Sequence, residues 1–548
     1  MSTNLKTSRG GSAVYIASIT LVATLGGLLF GYDTAVINGA VSALRNYFIL
    51  PLMDNPQLAV KVIAEFKLAV TISIGIILVL IFSFLFKLFG TKKGGVISAI
   101  ILGFSALLVY QFILAKPNEL TETMANFIDG FNKSSALIGC VIGGAIAGYI
   151  SQTMGRKSGL LLAAFLFTLS ALGSAMPDKL NFLGGEVISV FMFYRVIGGI
   201  GVGLASMLSP MYIAEIAPAN IRGKLVSWNQ FAIIFGMFVV SIVNYLIAKG
   251  QTDQWIFDLG WRYMFGSEVI PAGLFFVLLL FVPESPRYLV LANKEEKAFS
   301  ILNKIVSKDK ARDVLENIKN SLKEKRVRWL KYGSLVIIIG IMLSIFQQFV
   351  GINVVLYYSS DIFRNLGIEK TEDSLAPVIL VNAVNLTFTV LAIFTVDKFG
   401  RKPLMIIGAL GMAIGMTTLG FSFFGNHYGV GAFLSIMIYT AAFAMSWGPV
   451  TWVMLSEIFP NSIRGAMSIA VAAQWIANWM ISLSFPVLNE NSWLTETFNH
   501  GFAYWLYAIM GLLAALFVWK VVPETKGRSL EDMEQLWLTK KEEKEVPA

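Results

Sequence analysis

The sequence predicts an all-α membrane protein of two six-helix repeats and one inserted helical hairpin, fourteen membrane spans in all. Hydrophobic residues make up 56% of the 548 residues and charged residues only 14%, against about 25% charged residues in soluble domains. Uncharged runs of about 20 residues, long enough to cross a bilayer, fill most of the chain. Short motifs also recur roughly 240 residues apart, which indicates an internal duplication.

The hydrophobic runs define the predicted spans. In the first half they lie near residues 13–44, 67–89, 94–115, 126–151, 158–176, 186–211, 223–248 and 262–282. In the second half they lie near residues 333–365, 373–397, 402–422, 428–456, 465–489 and 500–522. The predicted domains are a first bundle with the inserted hairpin at 67–115, a linker, a second bundle and a tail, at residues 1–282, 283–332, 333–522 and 523–548.

The formal net charge of +9 does not indicate a nucleic-acid partner, because the basic residues cluster in connectors between hydrophobic runs. Thirteen of them lie between Arg287 and Lys331, at spacings that suit short amphipathic helices on a membrane face. An even number of spans puts both termini on one side, and the positive-inside rule makes that side the cytoplasm. We therefore expect a multi-pass protein of the plasma (inner) membrane.

The single cysteine, Cys140, lies in a hydrophobic run and excludes an internal disulfide or a cysteine-based metal cluster. The polar stretch from Met1 to Gly11 leads into a long hydrophobic run with no small-residue cleavage site at its end. We therefore expect no removable signal peptide and a first helix that is retained.

The duplication rests on three signatures at nearly constant separation. Gly155-Arg156-Lys157 recurs as Gly400-Arg401-Lys402, a shift of 245 residues. Glu215 with Ile221-Arg222-Gly223 recurs as Glu457 with Ile463-Arg464-Gly465, a shift of 242 residues. Pro283-Glu284-Ser285 recurs as Pro523-Glu524-Thr525, a shift of 240 residues. Each repeat spans six helices, so two spans of the first half are surplus. Parallel repeats of this kind are typical of transporters.

The surplus spans, near residues 67–89 and 94–115, predict an inserted hairpin. Two extra crossings return the chain to its original side, so Arg156 and Lys157 stay in the cytoplasm. Two interpretations remain open at this point: a lipid-facing hairpin without chemistry, or a docking surface for another membrane protein. The partner of the hairpin is unknown.

Charged side chains inside spans are costly and are therefore functional candidates. We identify Asp33 in the first core helix, Arg195 in the fourth and Glu268 in the sixth. The first two form either a fixed ion pair that holds helices together or a proton switch in which the carboxylate gains and releases a proton. Both histidines, His427 and His500, fall in short connectors, so a buried histidine relay is not available.

Uncharged polar residues form a second candidate set. Six amides lie inside hydrophobic spans: Gln230, Gln347, Gln348, Asn353, Asn385 and Gln474. Each amide both donates and accepts hydrogen bonds, which suits a sugar, although any one of them could instead join two helices. Gly351 and Gly448-Pro449 provide places where the seventh and tenth core helices can break near the midplane, and Trp452 offers a hydrophobic face to a sugar ring.

Several longer motifs carry a family resemblance. They are Leu25-Gly26-Gly27-Leu28-Leu29-Phe30-Gly31-Tyr32-Asp33, Arg195-Val196-Ile197-Gly198-Gly199-Ile200-Gly201-Val202-Gly203, Pro283-Glu284-Ser285-Pro286-Arg287, Gln347-Gln348-Phe349-Val350-Gly351-Ile352-Asn353, Asp397-Lys398-Phe399-Gly400-Arg401-Lys402 and Pro523-Glu524-Thr525-Lys526-Gly527. With them the chain resembles the sugar porters of the major facilitator superfamily over almost its whole length.

The resemblance implies a major facilitator fold and proton-coupled import of a monosaccharide, with D-xylose expected, by alternating access and without a cofactor. It implies that the sugar is held by Gln230, Gln347, Gln348, Asn353, Trp452 and Gln474, in a cavity also lined by Phe30, Tyr357, Asn385 and Gly448. It implies that Asp33 takes the proton, with Arg195 and Glu268 as neighbours. It also implies a cytoplasmic gate made of Arg156, Glu215, Arg222, Glu284, Arg287, Arg401, Glu457 and Arg464.

Two departures from the family pattern limit how far the family's residue roles apply to this chain. Gln152 stands where the loop motif often has an acid, so the first-half gate is expected to be weaker than the second, which keeps Asp397. The hairpin is the other departure.

Alternatives to symport are a proton-independent uniporter, disfavoured by the acid at Asp33, and a sugar sensor, disfavoured by the short tail. No phosphate loop, nucleophile triad or metal cluster favours an enzyme. The motifs do not separate xylose from glucose, arabinose or galactose.

Overall fold

The computed structural model describes residues 13–182, 184–218, 221–323, 327–368, 370–528 and 530–545. Within these residues, 13 helices are long and hydrophobic enough to cross a membrane. Those of the first half are α1 (Ala13–Leu44), α2 (Pro56–Val109), α3 (Glu122–Thr153), α4 (Arg156–Ala175), α5 (Val187–Ile216), α6 (Arg222–Ala248) and α7 (Asp253–Phe281). The helix α5 packs against α3 and α4, and α1 packs against α6, which forms a first bundle.

Three short helices lead into the second half: α8 (Pro286–Leu291), α9 (Glu295–Ile305) and α10 (Lys308–Lys323). The spans of that half are α11 (Leu335–Asn365), α12 (Thr371–Phe399), α13 (Arg401–Phe424), α14 (Val430–Ile458), α15 (Met467–Asn489) and α16 (Phe502–Val521). The two bundles meet where α3 packs against α15, α6 against α12, and α1 against α11.

The last described element is a further helix, α17 (Leu530–Glu545). The sequence indicates a charged tail, yet this helix is docked, because the indole nitrogen of Trp537 donates a hydrogen bond of 2.9 Å to the carbonyl of Ile458. Trp537 and Met533 are each 1% exposed. The tail therefore packs against the end of α14.

The inserted segment is a hairpin, as predicted, although its first helix begins earlier, at Pro56. Asn55 caps that start, since its side-chain oxygen accepts from the backbone of Leu58 at 3.1 Å. A straight helix of 54 residues would measure about 80 Å, far more than a bilayer of about 30 Å. The backbone reverses instead at Gly90 (φ 77°, ψ 175°).

The two arms of α2 run antiparallel. The amine of Lys67, in the first arm, lies 2.5 Å from the carbonyl oxygen of Lys116 and 2.6 Å from the side-chain oxygen of Asn118, beyond the second arm. Each arm is long enough to cross a bilayer, so the 13 helices provide fourteen spans. The tip of the hairpin reaches the end of the linker, where the rings of Phe84 and Trp329 lie 6.5 Å apart.

Candidate functional site

The helices α11 and α14 both break in the middle, as the sequence predicts. In α11 the break is at Gly351, whose φ of 90° is in the left-handed region that favours glycine. In α14 the break is at Ser446 (φ −131°, ψ −90°), two residues before Gly448. Pro449 therefore lies in the first turn of the second segment, where a proline is tolerated because no helical hydrogen bond is lost there.

Gln347 connects the two breaks. Its amide nitrogen donates to the backbone carbonyls of Trp447 and Gly448, at 2.9 Å and 3.3 Å. Its side-chain oxygen accepts from the amide of Gln474 on α15, at 2.6 Å. Gln347 is 3% exposed, so these bonds are shielded from water and hold three helices in register.

The other predicted amides of α11 extend this cluster. Gln348 donates to the side-chain oxygen of Gln347 at 3.3 Å, and Asn353, just past the break, donates to the side-chain oxygen of Gln348. The structure therefore joins four predicted residues in one chain of amides, which we call the amide cluster: Gln347, Gln348, Asn353 and Gln474. Gly448 touches it through its carbonyl.

The remaining predicted sugar residues surround this cluster less directly. Trp452 is half-buried on the second segment of α14, and Tyr357 is buried on the second segment of α11. Phe30 comes from the first half, and its ring lies 5.6 Å from that of Trp475 on α15. Gln230 on α6 and Asn385 on α12 lie on two helices that pack together. In the described part of the chain, neither hydrogen-bonds the amide cluster.

Two of these amides are incompletely paired within the described residues. The side-chain nitrogen of Asn385 and the side-chain oxygen of Gln474 are buried without a hydrogen-bond partner. Buried polar atoms in proteins are nearly always paired, so such atoms call for a partner. One free donor and one free acceptor suit a ligand with hydroxyl groups, because each hydroxyl both donates and accepts.

The predicted charged residues meet in the first half. Arg195 on α5 donates to the carboxylate of Asp33 at 2.5 Å and to its backbone oxygen at 3.0 Å. The guanidinium of Arg195 also lies 5.1 Å from the ring centre of Phe265. The second carboxylate oxygen of Asp33 is buried with no described partner. Asp33 therefore holds one strong contact and keeps one oxygen free.

Glu268 completes this charged group. It follows the turn that ends the first part of α7, it is fully buried, and it neighbours both Asp33 and Arg195. Neither of its carboxylate oxygens has a hydrogen-bond partner among the described residues. Two buried carboxyl groups therefore lie beside a single guanidinium, that of Arg195.

The motif residues form two matching clusters at one end of the bundle, which we call the motif end. In the first half Arg156 binds Glu215 at 2.8 Å, and Ser285 donates to the same glutamate. In the second half Arg401 binds Glu457 at 2.9 Å, and Thr525 donates to it at 2.6 Å. The duplication therefore extends from sequence to side-chain geometry.

A second glutamate supports each cluster. Glu284 accepts from the backbone of Arg156 at 3.0 Å, and Glu524 accepts from that of Arg401 at 3.1 Å, so each caps the start of a helix with a negative charge. Among the described residues, the partner of the Arg222 side chain is the backbone oxygen of Ala217, at 3.4 Å. The side chains of Arg464 and Asp397 lie outside the described residues. Each described ion pair of these clusters joins two residues of the same half.

The sequence analysis did not single out three charged residues that the structure brings together. Asp129 and Lys133 on α3 and Asp361 on α11 lie at the end of the bundle opposite the motif end. A signal was present, because Asp129 and Lys133 are four residues apart in a predicted helix, the spacing of a helical ion pair. A further missed residue is Trp475, whose packing on Phe30 no spacing predicts.

Comparisons with known proteins agree on one family. Residues 19–537 match the family model described as "Sugar (and other) transporter". The D-xylose-proton symporter of Escherichia coli (strain K12) is 52% identical over 538 residues, which cover 95% of this chain and 96% of that protein.

Solved structures agree with the sequence comparison. The inward-open xylose transporter XylE from E. coli is 49% identical, with a TM-score of 0.75 over 95% of this chain and 100% of that chain. A structure described as the major facilitator superfamily proton:xylose symporter XylE, bound to 6-bromo-6-deoxy-D-glucose, is 50% identical. Its TM-score is 0.71 over 96% of this chain and 99% of that chain.

Proposed function

The chain belongs to the sugar transporter family, and we propose that it imports a monosaccharide, D-xylose in the first place, together with a proton. The family consists of transporters, so the chain is not an enzyme. The major facilitator fold that the sequence predicts is confirmed by the solved relatives. The observation that supports the transport function most directly is the amide cluster, where two broken helices and α15 meet.

In this proposal the amide cluster binds the sugar hydroxyls. Gln347, Gln348, Asn353 and Gln474 provide donors and acceptors without charge, and the unpaired atoms of Gln474 and Asn385 become paired when a hydroxyl arrives. Trp452, Tyr357 and Phe30 line the apolar parts of the cavity, with Gln230 contributing from the first half. A neutral, amide-rich site suits a neutral polyhydroxylated substrate.

Asp33 carries the proton. Its free oxygen accepts the proton, while Arg195 holds the other oxygen and Glu268 shares the negative charge. Protonation weakens the attraction between Asp33 and Arg195, because the carboxyl group becomes neutral. This loosens the link between α1 and α5 and couples the proton to the movement of helices. A uniporter lacks this step, so proton coupling at Asp33 distinguishes a symporter from a uniporter.

The two bundles, residues 1–282 and 333–522, rock around the sugar site in alternating access. The linker (283–332) and tail (523–548) lie on the cytoplasmic side, because the basic residues from Arg287 to Lys331 follow the positive-inside rule. The motif end is then the cytoplasmic end, and we call the opposite end the outer end. The clusters of Arg156 and Arg401 belong to the proposed cytoplasmic gate, to which the family resemblance adds Arg222, Arg287 and Arg464.

Counterflow in proteoliposomes tests the substrate. Proteoliposomes that contain the purified protein are loaded with unlabelled D-xylose, glucose, arabinose or galactose. The entry of labelled D-xylose is then followed for each of these sugars. We expect D-xylose to drive the fastest exchange. If another sugar of the panel drives the fastest exchange, that sugar is the substrate and sugar transport still holds. No exchange with any sugar would contradict the proposed function.

A further inference from the structure

A charged cluster at the outer end joins the two halves and takes no part in the site described above. In the first half, the carboxylate of Asp129 binds Lys133 at 2.8 Å and Arg45 at 3.1 Å. Each of these two cations then reaches an acid of the second half: Lys133 lies 3.8 Å from Asp361, and Arg45 lies 3.9 Å from Glu490. The contacts within a half are therefore shorter than those between the halves.

Burial makes this arrangement costly unless it serves a purpose. The side chains of Asp129 and Lys133 are only 1% and 2% exposed, and both lie in the outer turns of a membrane span. Pairing Asp129 with Lys133 alone would satisfy the requirement that buried charges be paired. Arg45 would then be unnecessary, and neither cation would need an acid in the other half.

Hydrogen bonds also join the two halves at the outer end, along the boundary that we call the seam. Ser42 donates to the carboxylate of Asp361 at 2.9 Å, and the side chain of Asn126 donates to the backbone oxygen of Glu490 at 3.3 Å. Deeper in the seam, Asn38 donates to the backbone oxygen of Leu356 at 2.8 Å. These contacts join the two halves, so the outer end is closed in this structure.

We infer that Lys133–Asp361 and Arg45–Glu490 form an ionic outer gate, two ion pairs that exist only while the outer end is closed. This inference rests on the proposed function, because a gate requires alternating access. Asp129 is a positioning residue that holds both cations at the seam. When the halves separate, Lys133 and Arg45 keep Asp129, whereas Asp361 loses both Lys133 and Ser42 and becomes hydrated.

The lengths of the contacts suit a gate that must open in every cycle. Contacts of 3.8 Å and 3.9 Å are longer and therefore weaker than the contacts of the same cations with Asp129, at 2.8 Å and 3.1 Å, so they are the ones that break when the halves separate. Two cations facing three acids also leave the cluster with one excess negative charge when all five groups are ionised. The second-half acids therefore gain from the closed state, because it brings cations toward them.

Asp361→Asn tests the gate with little change in shape. Asparagine keeps an oxygen that accepts from Ser42 but removes the charge that faces Lys133. The matched control is Asp178→Asn, which breaks an ion pair of 2.6 Å with Arg262 at the same outer end but within the first half. A change caused by any lost surface charge would appear in both variants, whereas a gate effect appears only in the first.

The readout is the distance between spin labels on cysteines introduced at Lys179 and His427, exposed positions of the two halves at the outer end. The native Cys140 is buried and does not compete for the label. Without sugar, we expect Asp361→Asn to raise the outward-open population roughly three- to fivefold, the effect of losing one weak ion pair. Asp178→Asn should keep the parent's distribution.

Glu490→Gln supports the test, because its side chain is one-third exposed and its replacement leaves no buried charge unpaired. Should Asp361→Asn fail to fold, a matching shift in Glu490→Gln carries the inference. Unchanged distances in every variant that folds would overturn it. Sugar counterflow on the same preparations separates the two claims: absent counterflow in the parent overturns the proposed function, whereas unchanged distances overturn only the gate.

Discussion

Arg195 donates one hydrogen bond to the side chain of Asp33 and a second to its backbone oxygen, at 2.5 Å and 3.0 Å. The second bond does not depend on the charge of the carboxylate. Protonation of Asp33 therefore weakens the link between α1 and α5 without abolishing it. A link that loosens but does not detach suits a step that is repeated in each transport cycle.

Gln347→Ala should weaken sugar binding about tenfold or more. The substitution removes a ligand partner, at roughly 1–3 kcal/mol, and frees the carbonyls of Trp447 and Gly448 that Gln347 holds. Sugar affinity measured by calorimetry on the purified variant checks this. Gln254→Ala, which removes an exposed glutamine that donates a hydrogen bond to Asp258, is the control and should keep the parent's affinity. Equal affinity in a folded Gln347→Ala protein would count against the site.

The fold could be predicted closely from the sequence, because each span must satisfy its backbone within itself and needs about 20 apolar residues. The hairpin boundary was less predictable. The helix begins at Pro56 instead of near residue 67, because proline at the first helical position and the cap at Asn55 start it within polar sequence. Hydropathy does not detect such a cap.

The hairpin predicts a labelling pattern. A cysteine at Lys92, near the turn at Gly90, should react with a membrane-impermeant reagent only from the cytoplasmic side. A cysteine at Glu119 should react from outside, and this position leaves the bond between Lys67 and Asn118 intact. The parent, whose Cys140 is buried, is the unlabelled control. Labelling of Lys92→Cys from outside would refute fourteen spans with cytoplasmic termini.

Gly400→Ala should lower the apparent melting temperature. Gly400 has a φ of 90°, and an added Cβ would lie 2.9 Å from the carboxylate of Glu524. A residue with a Cβ in this conformation (φ 90°, ψ 159°) is strained by about 1–3 kcal/mol, and displacing Glu524 removes the cap of α13. Gly527→Ala is the control, because Gly527 also has a positive φ but its Cβ would meet nothing within 4 Å. A loss no larger than that of Gly527→Ala would refute the role of Glu524.

Sequence patterns predicted candidate sugar and proton residues because amides and charges are rare inside spans. The connections among them were not predictable. Gln347 and Gln474 lie 127 residues apart, and their contact depends on how α11 and α15 pack. The outer gate was missed for a related reason, since Arg45 and Glu490 lie at the ends of helices, where charges are ordinary and only the fold brings them together.

The central claim is that Asp33 couples proton movement to sugar movement, and Asp33→Asn tests it most directly. Asparagine keeps the size of the carboxyl group and an oxygen for Arg195, but it cannot release a proton. Sugar binding and counterflow without a proton gradient should therefore persist, while uphill uptake fails. One charge crossing 100 mV is worth about 2.3 kcal/mol, which supports roughly fortyfold accumulation, so the loss is easily measured.

The decisive measurement is the accumulation of labelled D-xylose, with proton uptake recorded, in vesicles that hold a proton gradient. Parent and Asp178→Asn vesicles, the second being a control that changes an acid outside the site, should accumulate sugar. Asp33→Asn vesicles should only equilibrate. Uphill accumulation with proton uptake by Asp33→Asn would contradict the account and would leave Asp33 and Arg195 as a fixed ion pair that holds α1 against α5.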